Sequence, residues 1–347
     1  MNTKTEYKEI VMNTKTDSHD AGVFARHRLG LAIGALMGTM LASSSAMAAP
    51  QKVIEFIPTS SATPYFLREY DGVKKEAKKY GYKTLFQAPS VATHISTQIG
   101  MVYTAITRKV NGIVLVPYSP TGLLPPVEKA MAHHIPVVVT DSTLTPMKAL
   151  TFTAVPDKKA AAAVASYAAK MVHGHGEYAI IDYNLSDTSA RYRRDGFEAA
   201  MAKFPGMKFA GLQISHSVPE TALRETEAML TSNPKINVVF GANDRSALGV
   251  AMAVKRMHLQ NKVVVVGFDA DLGELGYIKS GVIKASALQS PLLMGETAVK
   301  VLHEHFIDPT KKFPQYIPLP YHLVTYKNYN SPASVSAIRQ YLAGYKG

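Results

Sequence analysis

From Lys52 onward, short runs rich in β-branched residues alternate with stretches whose apolar positions recur every three or four residues. That alternation is the pattern of βαβ units laid into a parallel sheet. Residues 52–57 (KVIEFI) read as a strand. Pro64 then opens a helix with Phe66, Tyr70, Val73, Ala77 and Tyr80 on its apolar face, lysines on its wet face and Gly81 as its stop. Strands at 84–87, 113–116 and 136–140, with helices near 93–109 and 121–133, extend this first series. A second series starts with a helix at 158–172 and adds strands at 178–182, 209–214, 238–241 and 263–268. Its further helices are expected near 190–204, 221–232, 245–257 and 272–280. The fold class expected is α/β, with two doubly wound parallel-sheet lobes of Rossmann-like type. The length of 347 residues suits about two domains.

The N-terminus breaks this pattern. Arg26, His27 and Arg28 precede an apolar run over 29–41, followed by small residues ending in Ala46-Met47-Ala48. The run is about 13 residues long, short of the ~20 that span a bilayer, so it reads as an export signal cleaved after Ala48 rather than an uncleaved anchor. MNTKT occurs at Met1 and again at Met12, which leaves both as candidate translation starts.

Composition narrows the chemistry. With no cysteine there are no disulfides, thiol nucleophiles or thiolate metal sites. The net charge of +12 permits contact with nucleic acid, but the basic residues are scattered along amphipathic segments, so no nucleic-acid partner is expected. No G-x-G-x-x-G, Walker-type loop or G-x-S-x-G follows a strand, which argues against the commonest α/β enzymes and against a cofactor. His173-Gly174-His175 and His303-Glu304-His305 look metal-like, but the second lacks the i, i+4 spacing that puts two imidazoles on one helix face and neither has an evident third ligand nearby, so no metal is expected at either.

Ligands of open parallel sheets bind beyond the carboxyl ends of the strands. Thr63, Tyr65 and Phe66 follow the first strand, and Asp141 follows the fourth. Asn243 and Asp244 follow VVFGA, and Asp269 follows VVVVGF. Carboxylates and amides beside aromatic rings suit a sugar, whose hydroxyls meet polar forks while its C–H face packs on a ring. Taken singly, Asp141, Asp244 and Asp269 could equally cap turns or helices, and one of Tyr65 and Phe66 could belong to the core.

The segments TPYFLREYDGVKKEAKKYGY, NGIVLVP, IPVVVTDS, TSARYRRDGF, NPKINVVFGANDRSALG, VVVVGFDAD and ASALQSP occur in this order. In them the chain, from Lys52 to about Val324, resembles periplasmic binding proteins of the ribose/galactose type, which feed ABC importers. The GFD and N-D-x-x-A-x-G segments are shared with the ligand domains of LacI-type repressors, but no helix-turn-helix precedes the first strand. The resemblance implies ligand contacts from Thr63, Tyr65, Phe66, Asp141, Asn243 and Asp269, with Gln289 at a crossing between lobes. The arginine it implies is Arg191, the first of the three in SARYRRDGF, although a solvated helix-start residue is the alternative. Two departures accompany it: Ser142 stands where ribose-type members carry arginine, and no aromatic lies near Ser217 and Val218.

The same resemblance implies a three-strand hinge, with crossings near Val155, Gln289 and Leu319, closing on ligand. The implied layout is a signal peptide at 1–48, one lobe from 49–155 plus 290–318, the other from 156–289 plus 319–330, and a tail at 331–347. The function expected is capture of a small sugar or polyol for an ABC transporter permease. A sensor of the same fold, engaging a sensor kinase or chemoreceptor and including one for furanosyl signals, is the alternative. An exported hydrolase using Asp141 and Asp269 as a carboxylate pair is the third reading.

Overall fold

The computed structural model describes residues 51–90 and 94–342. The export signal, the cleavage site after Ala48, both candidate starts and the start of the helix expected from residue 93 lie outside the described residues. The first lobe is built from β1 (Val53–Ile57), α1 (Pro64–Lys79), β2 (Lys83–Phe86), α2 (Ile95–Thr107), β3 (Gly112–Leu115), α3 (Leu124–Ala132), β4 (Val137–Thr140) and β5 (Thr151–Ala154). The chain then forms α4 (Asp157–Met171), β6 (His175–Asp182), α5 (Thr188–Met201), β7 (Gly206–Ile214), α6 (Pro219–Ser232), β8 (Ile236–Gly241), α7 (Asp244–Arg256), β9 (Val264–Asp269), α8 (Leu272–Lys279) and β10 (Ile283–Leu288). Last come α9 (Pro291–Ile307), β11 (Tyr316–Pro318), β12 (His322–Thr325) and α10 (Pro332–Leu342).

Two six-stranded sheets result, ordered β11-β5-β4-β3-β1-β2 and β12-β10-β9-β8-β6-β7. Every ladder is parallel except β10 with β12, which is antiparallel. The central strands are covered on both faces, so GIVL in β3 and VVVT in β4 are buried throughout, as near-continuous apolar runs of a parallel sheet should be. Strand order reverses beside β1 in one sheet and beside β6 in the other. Those two reversal points, where neighbouring connections leave on opposite faces, open the crevices that receive ligands in such sheets.

The chain changes sheet three times. It passes from β5 to α4 at 155–156, from β10 to α9 at 289–290, and from β11 to β12 at 319–321. Helix pairing within the lobes depends on glycine. A Cβ on Gly295 would stand 2.1 Å from the Glu69 carbonyl oxygen, and one on Gly72 would stand 2.0 Å from that of Leu292, so α1 and α9 touch backbone to backbone. In the second lobe Phe197 stacks on Phe240 at 4.3 Å between α5 and β8.

The C-terminal region departs from expectation. Residues 332–342, expected within a tail, form α10, whose Ile338 and Tyr341 enter the second lobe's core. Arg68 of α1 donates from Nη2 to the Tyr341 carbonyl oxygen at 2.8 Å, tying this helix to the first lobe.

Candidate functional site

The strand ends of both lobes converge on one cleft. Its first-lobe wall carries Thr59, Thr63, Tyr65, Phe66, Tyr118 and Asp141, and its second-lobe wall Tyr183, Asn184, Asp187, Ser189, Arg193, His216, Ser217, Asn243, Asp244 and Asp269. After the connection 58–63 that follows β1, Pro64 starts α1, which sets Tyr65 and Phe66 in the first helical turn, on the cleft wall. Both are buried in the first lobe's core, meet edge to face at 5.4 Å, and also line the cleft, so neither serves the core alone. The Tyr65 hydroxyl donates to Asp141 Oδ1 at 3.2 Å.

Asp141 and Asp269 mirror each other. Each ends its strand with a left-handed backbone, φ 60° and 85° respectively, a conformation that aspartate tolerates better than most residues. Between them lies Arg193, 2% exposed. Its Nη1 is 3.1 Å from Asp269 Oδ1, its Nη2 is 3.8 Å from Asp141 Oδ1, and its Nε donates to Asp157 Oδ1 at 3.0 Å. The guanidinium also lies 4.0 Å from the centre of the Phe268 ring. Burial opposes its charge, but Asp269, the Tyr183 phenol, Asp157 and Asp141 more than offset this and hold it charged. Burial in turn pushes the Asp141 carboxyl up to about 8, with Arg193 pulling against it, and that of Asp157 to about 7.

The arginine in this cleft is therefore Arg193, and Arg191 is not part of it. Arg191 is exposed on α5 and lies over the Tyr192 ring. Two residues along a helix are about 200° apart, so the two arginines face opposite ways. Asn243 caps α7, its Oδ1 accepting from the Ser246 N–H at 2.9 Å, while its Nδ2 donates to Ser217 Oγ at 3.0 Å and faces the cleft. The capping and cleft readings thus hold together. Gln289 stands behind the wall, donating from Nε2 to Asp269 Oδ1 at 2.5 Å. The Asp244 N–H adds a third donor to Asp269, at 3.1 Å.

Sequence reasoning passed over Tyr118 and Tyr183, which follow β3 and β6 at the two reversal points, and His216. These rings occupy the cleft although no aromatic stands at Ser217 or Val218. The histidine pairs lie elsewhere in ordinary contacts: His303 stacks on Tyr80 at 3.5 Å and pairs with the Tyr82 hydroxyl at 2.7 Å. Among the described residues no group of His, Asp and Glu is placed to hold a metal ion. For the hydrolase reading, the Arg193 guanidinium lies between Asp141 and Asp269, 3.8 and 3.1 Å from their Oδ1 atoms, so the two do not face each other as an unpaired carboxylate pair.

Residues 54–308 match the family model described as a periplasmic binding protein domain. The chain belongs to this family. This binding protein is similar to the D-apiose import binding protein of Actinobacillus succinogenes, 30% identical over 269 residues that cover 76% of this chain and 85% of the relative. It is likewise similar to the D-ribose/D-allose-binding protein of Pseudomonas aeruginosa, 30% identical over 261 residues covering 72% of this chain and 82% of the relative. Its fold matches a carbohydrate transporter solute-binding protein of Agrobacterium radiobacter, solved in complex with D-arabinose, at a TM-score of 0.78 and 27% identity, over 84% of this chain and all of that one.

Proposed function

We propose that this chain is a periplasmic solute-binding protein that captures a monosaccharide or closely related polyol between its lobes and delivers it to the permease of an ABC importer. The single observation that carries this reading is the Arg193 guanidinium held between Asp141 and Asp269 and walled by Tyr65, Phe66 and Tyr183. Carboxylates accept from vicinal hydroxyls, the guanidinium donates back, and the rings cover the apolar face of a sugar. Ligand contacts fall to Thr63, Tyr65, Phe66, Asp141, Arg193, Asn243 and Asp269, with Gln289 orienting Asp269 from behind. No catalytic step and no cofactor enters. The apiose relative is an import protein, which favours an importer over the sensor kinase or chemoreceptor expected as the alternative. Export with cleavage after Ala48 belongs to the same proposal.

A thermal-shift screen over pentoses, hexoses and polyols tests it. A ligand at ~100 times its Kd adds about 2.7 kcal/mol of stability, so a true ligand raises the unfolding midpoint by several degrees. No shift across the panel, or turnover of a sugar without saturable binding, overturns the reading.

A further inference from the structure

Beside the cleft the two lobes bond directly to each other. Ser142, the residue after Asp141, donates from Oγ to the Asp187 carboxylate, 2.9 and 3.0 Å from its two oxygens, and lies 3.2 Å from Ser189 Oγ. The Thr143 N–H donates to Thr188 Oγ1 at 2.8 Å. Ser142 and Thr143 lie in the loop that follows β4 of the first lobe, and 187–189 form the N-cap and first residues of α5 in the second. The same two segments carry Asp141 and, one helical turn beyond Ser189, Arg193. A seam between lobes that turn about three crossings exists only while the cleft is shut, so it forms and breaks with closure.

Asp187, which also lines the cleft, is held mainly by the start of its own helix. Besides Ser142, its Oδ1 accepts from the Ser189 and Ala190 N–H groups at 2.8 and 3.1 Å and from Ser189 Oγ at 2.7 Å. Ser189 Oγ in turn pairs with the Tyr183 hydroxyl at 2.5 Å, fixing an aromatic wall of the cleft. Ser142 itself is buried and does not line the cavity.

We propose that Ser142 is a positioning residue for ligand capture: its hydroxyl, donated to Asp187 of the opposite lobe, stabilises the closed cleft and sets the strength of binding without touching ligand. The proposal rests on the sugar-binding reading of the Asp141–Arg193 cleft. Apparent affinity scales with the fraction of molecules in the binding-competent closed form, so a residue that acts only on closure changes the affinity of every ligand by one common factor. A residue that contacts ligand changes it by a factor that depends on which hydroxyls the sugar carries.

The test uses Ser142→Ala, Ser142→Thr and a spin-label pair. The chain has no cysteine, so Lys148→Cys and Leu185→Cys, both at exposed positions, one in each lobe, give clean labels in the full mature protein. In ligand-free protein Ser142→Ala should move the label distance distribution toward longer, open values. It should weaken every sugar that binds the parent by the same factor, about tenfold (about 1.4 kcal/mol), with the order of preference unchanged. Ser142→Thr, which keeps the hydroxyl, should restore both. An unchanged ligand-free distribution in Ser142→Ala overturns the proposal, as do affinity losses that differ from sugar to sugar. If no sugar binds the parent protein, the functional reading fails, while the ligand-free distances still decide the role of Ser142.

Discussion

Gln289 donates from Nε2 to Asp269 Oδ1 at 2.5 Å, which fastens a cleft carboxylate to the second crossing between the lobes. Asp269 holds its left-handed backbone at a strand end, and this bond, with those from Arg193 and the Asp244 N–H, keeps its carboxylate aimed across the cleft. Gln289→Ala removes one hydrogen bond to a charged group, worth about 1.5–3 kcal/mol. Ligand affinity should fall by about tenfold or more, read by calorimetric titration. Unchanged affinity would mean that the crossing glutamine does nothing for the site.

Arg193 and Arg191 separate cleanly in a paired experiment. Arg193→Ala leaves Asp157 and Asp269 buried without their cation, a change that costs about 3–5 kcal/mol, and binding should vanish with it. Arg193→Lys keeps the charge but loses the planar fork, so it should fold better than the alanine variant and still bind weakly. Arg191→Ala, at an exposed position, should stay within about 0.5 kcal/mol of the parent and bind normally. Chemical denaturation and titration on the three variants check this, and loss of binding in Arg191→Ala would contradict the assignment.

The carboxyls of Asp141 and Asp157, raised by burial to about 8 and about 7, predict a pH dependence of the ligand-free protein. An unfolded aspartate releases its proton near pH ~4, so between that value and the raised pKa the folded state holds protons that the unfolded state has lost. Their contribution to stability is complete below the unfolded pKa and is lost as pH rises through about 7 to 8. The unfolding midpoint should therefore decline from about pH 5 to about pH 8, and Asp141→Asn should flatten that slope. Glu76 and Asp308, whose carboxyls are lowered, act only at more acidic pH. A midpoint that rises across this window would contradict the placement of Asp141.

Helix α1, which carries Tyr65 and Phe66, sits against α9 through bare backbone at Gly72 and Gly295. Gly295→Ala would set its Cβ 2.1 Å from the Glu69 carbonyl oxygen, so the helices must part. Overpacking of this kind typically costs about 1–3 kcal/mol. Urea unfolding should show that loss, with a further decrease in affinity because the aromatic wall moves with α1. Parent-like stability would contradict the tight contact.

The parallel lobes were legible because VVVT, VVFG and VVVGFD are buried on both faces and so read as unbroken apolar runs. β5 and β10 were not, since TFTA and IKASAL are short or built from small residues and gain strand character only from neighbours that the chain supplies far away. In α10, Val335, Ile338, Tyr341 and Leu342 recur at helical spacing, so the periodicity was present and was passed over, whereas the docking of Ile338 and Tyr341 in the second lobe's core is encoded by no local pattern. The strand-end rule picked out Asp141, Asn243 and Asp269, which the structure brings to one cleft. Carried one residue beyond Asp182 and three beyond Leu115, it would also have reached Tyr183 and Tyr118. Choosing Arg191 over Arg193 passed over a pattern that was present: Arg193, Gly196, Phe197 and Ala200 recur at i, i+3, i+4 and i+7, the buried stripe of α5. The pairing of Ser142 with Asp187 joins positions 45 residues apart in different lobes, and no local pattern encodes it.

The most direct test of the sugar cleft is calorimetric titration of the sugar found by the thermal-shift screen into the Asp269→Asn protein. Asparagine keeps the size and one acceptor oxygen but loses the charge that ligand hydroxyls and Arg193 share, at about 1.5–3 kcal/mol per charged hydrogen bond. The expected result is one site per chain in the parent, and affinity weakened by tenfold to over a hundredfold in a variant that still unfolds cooperatively. Parent-like affinity in folded Asp269→Asn protein would contradict ligand capture between Asp141, Arg193 and Asp269.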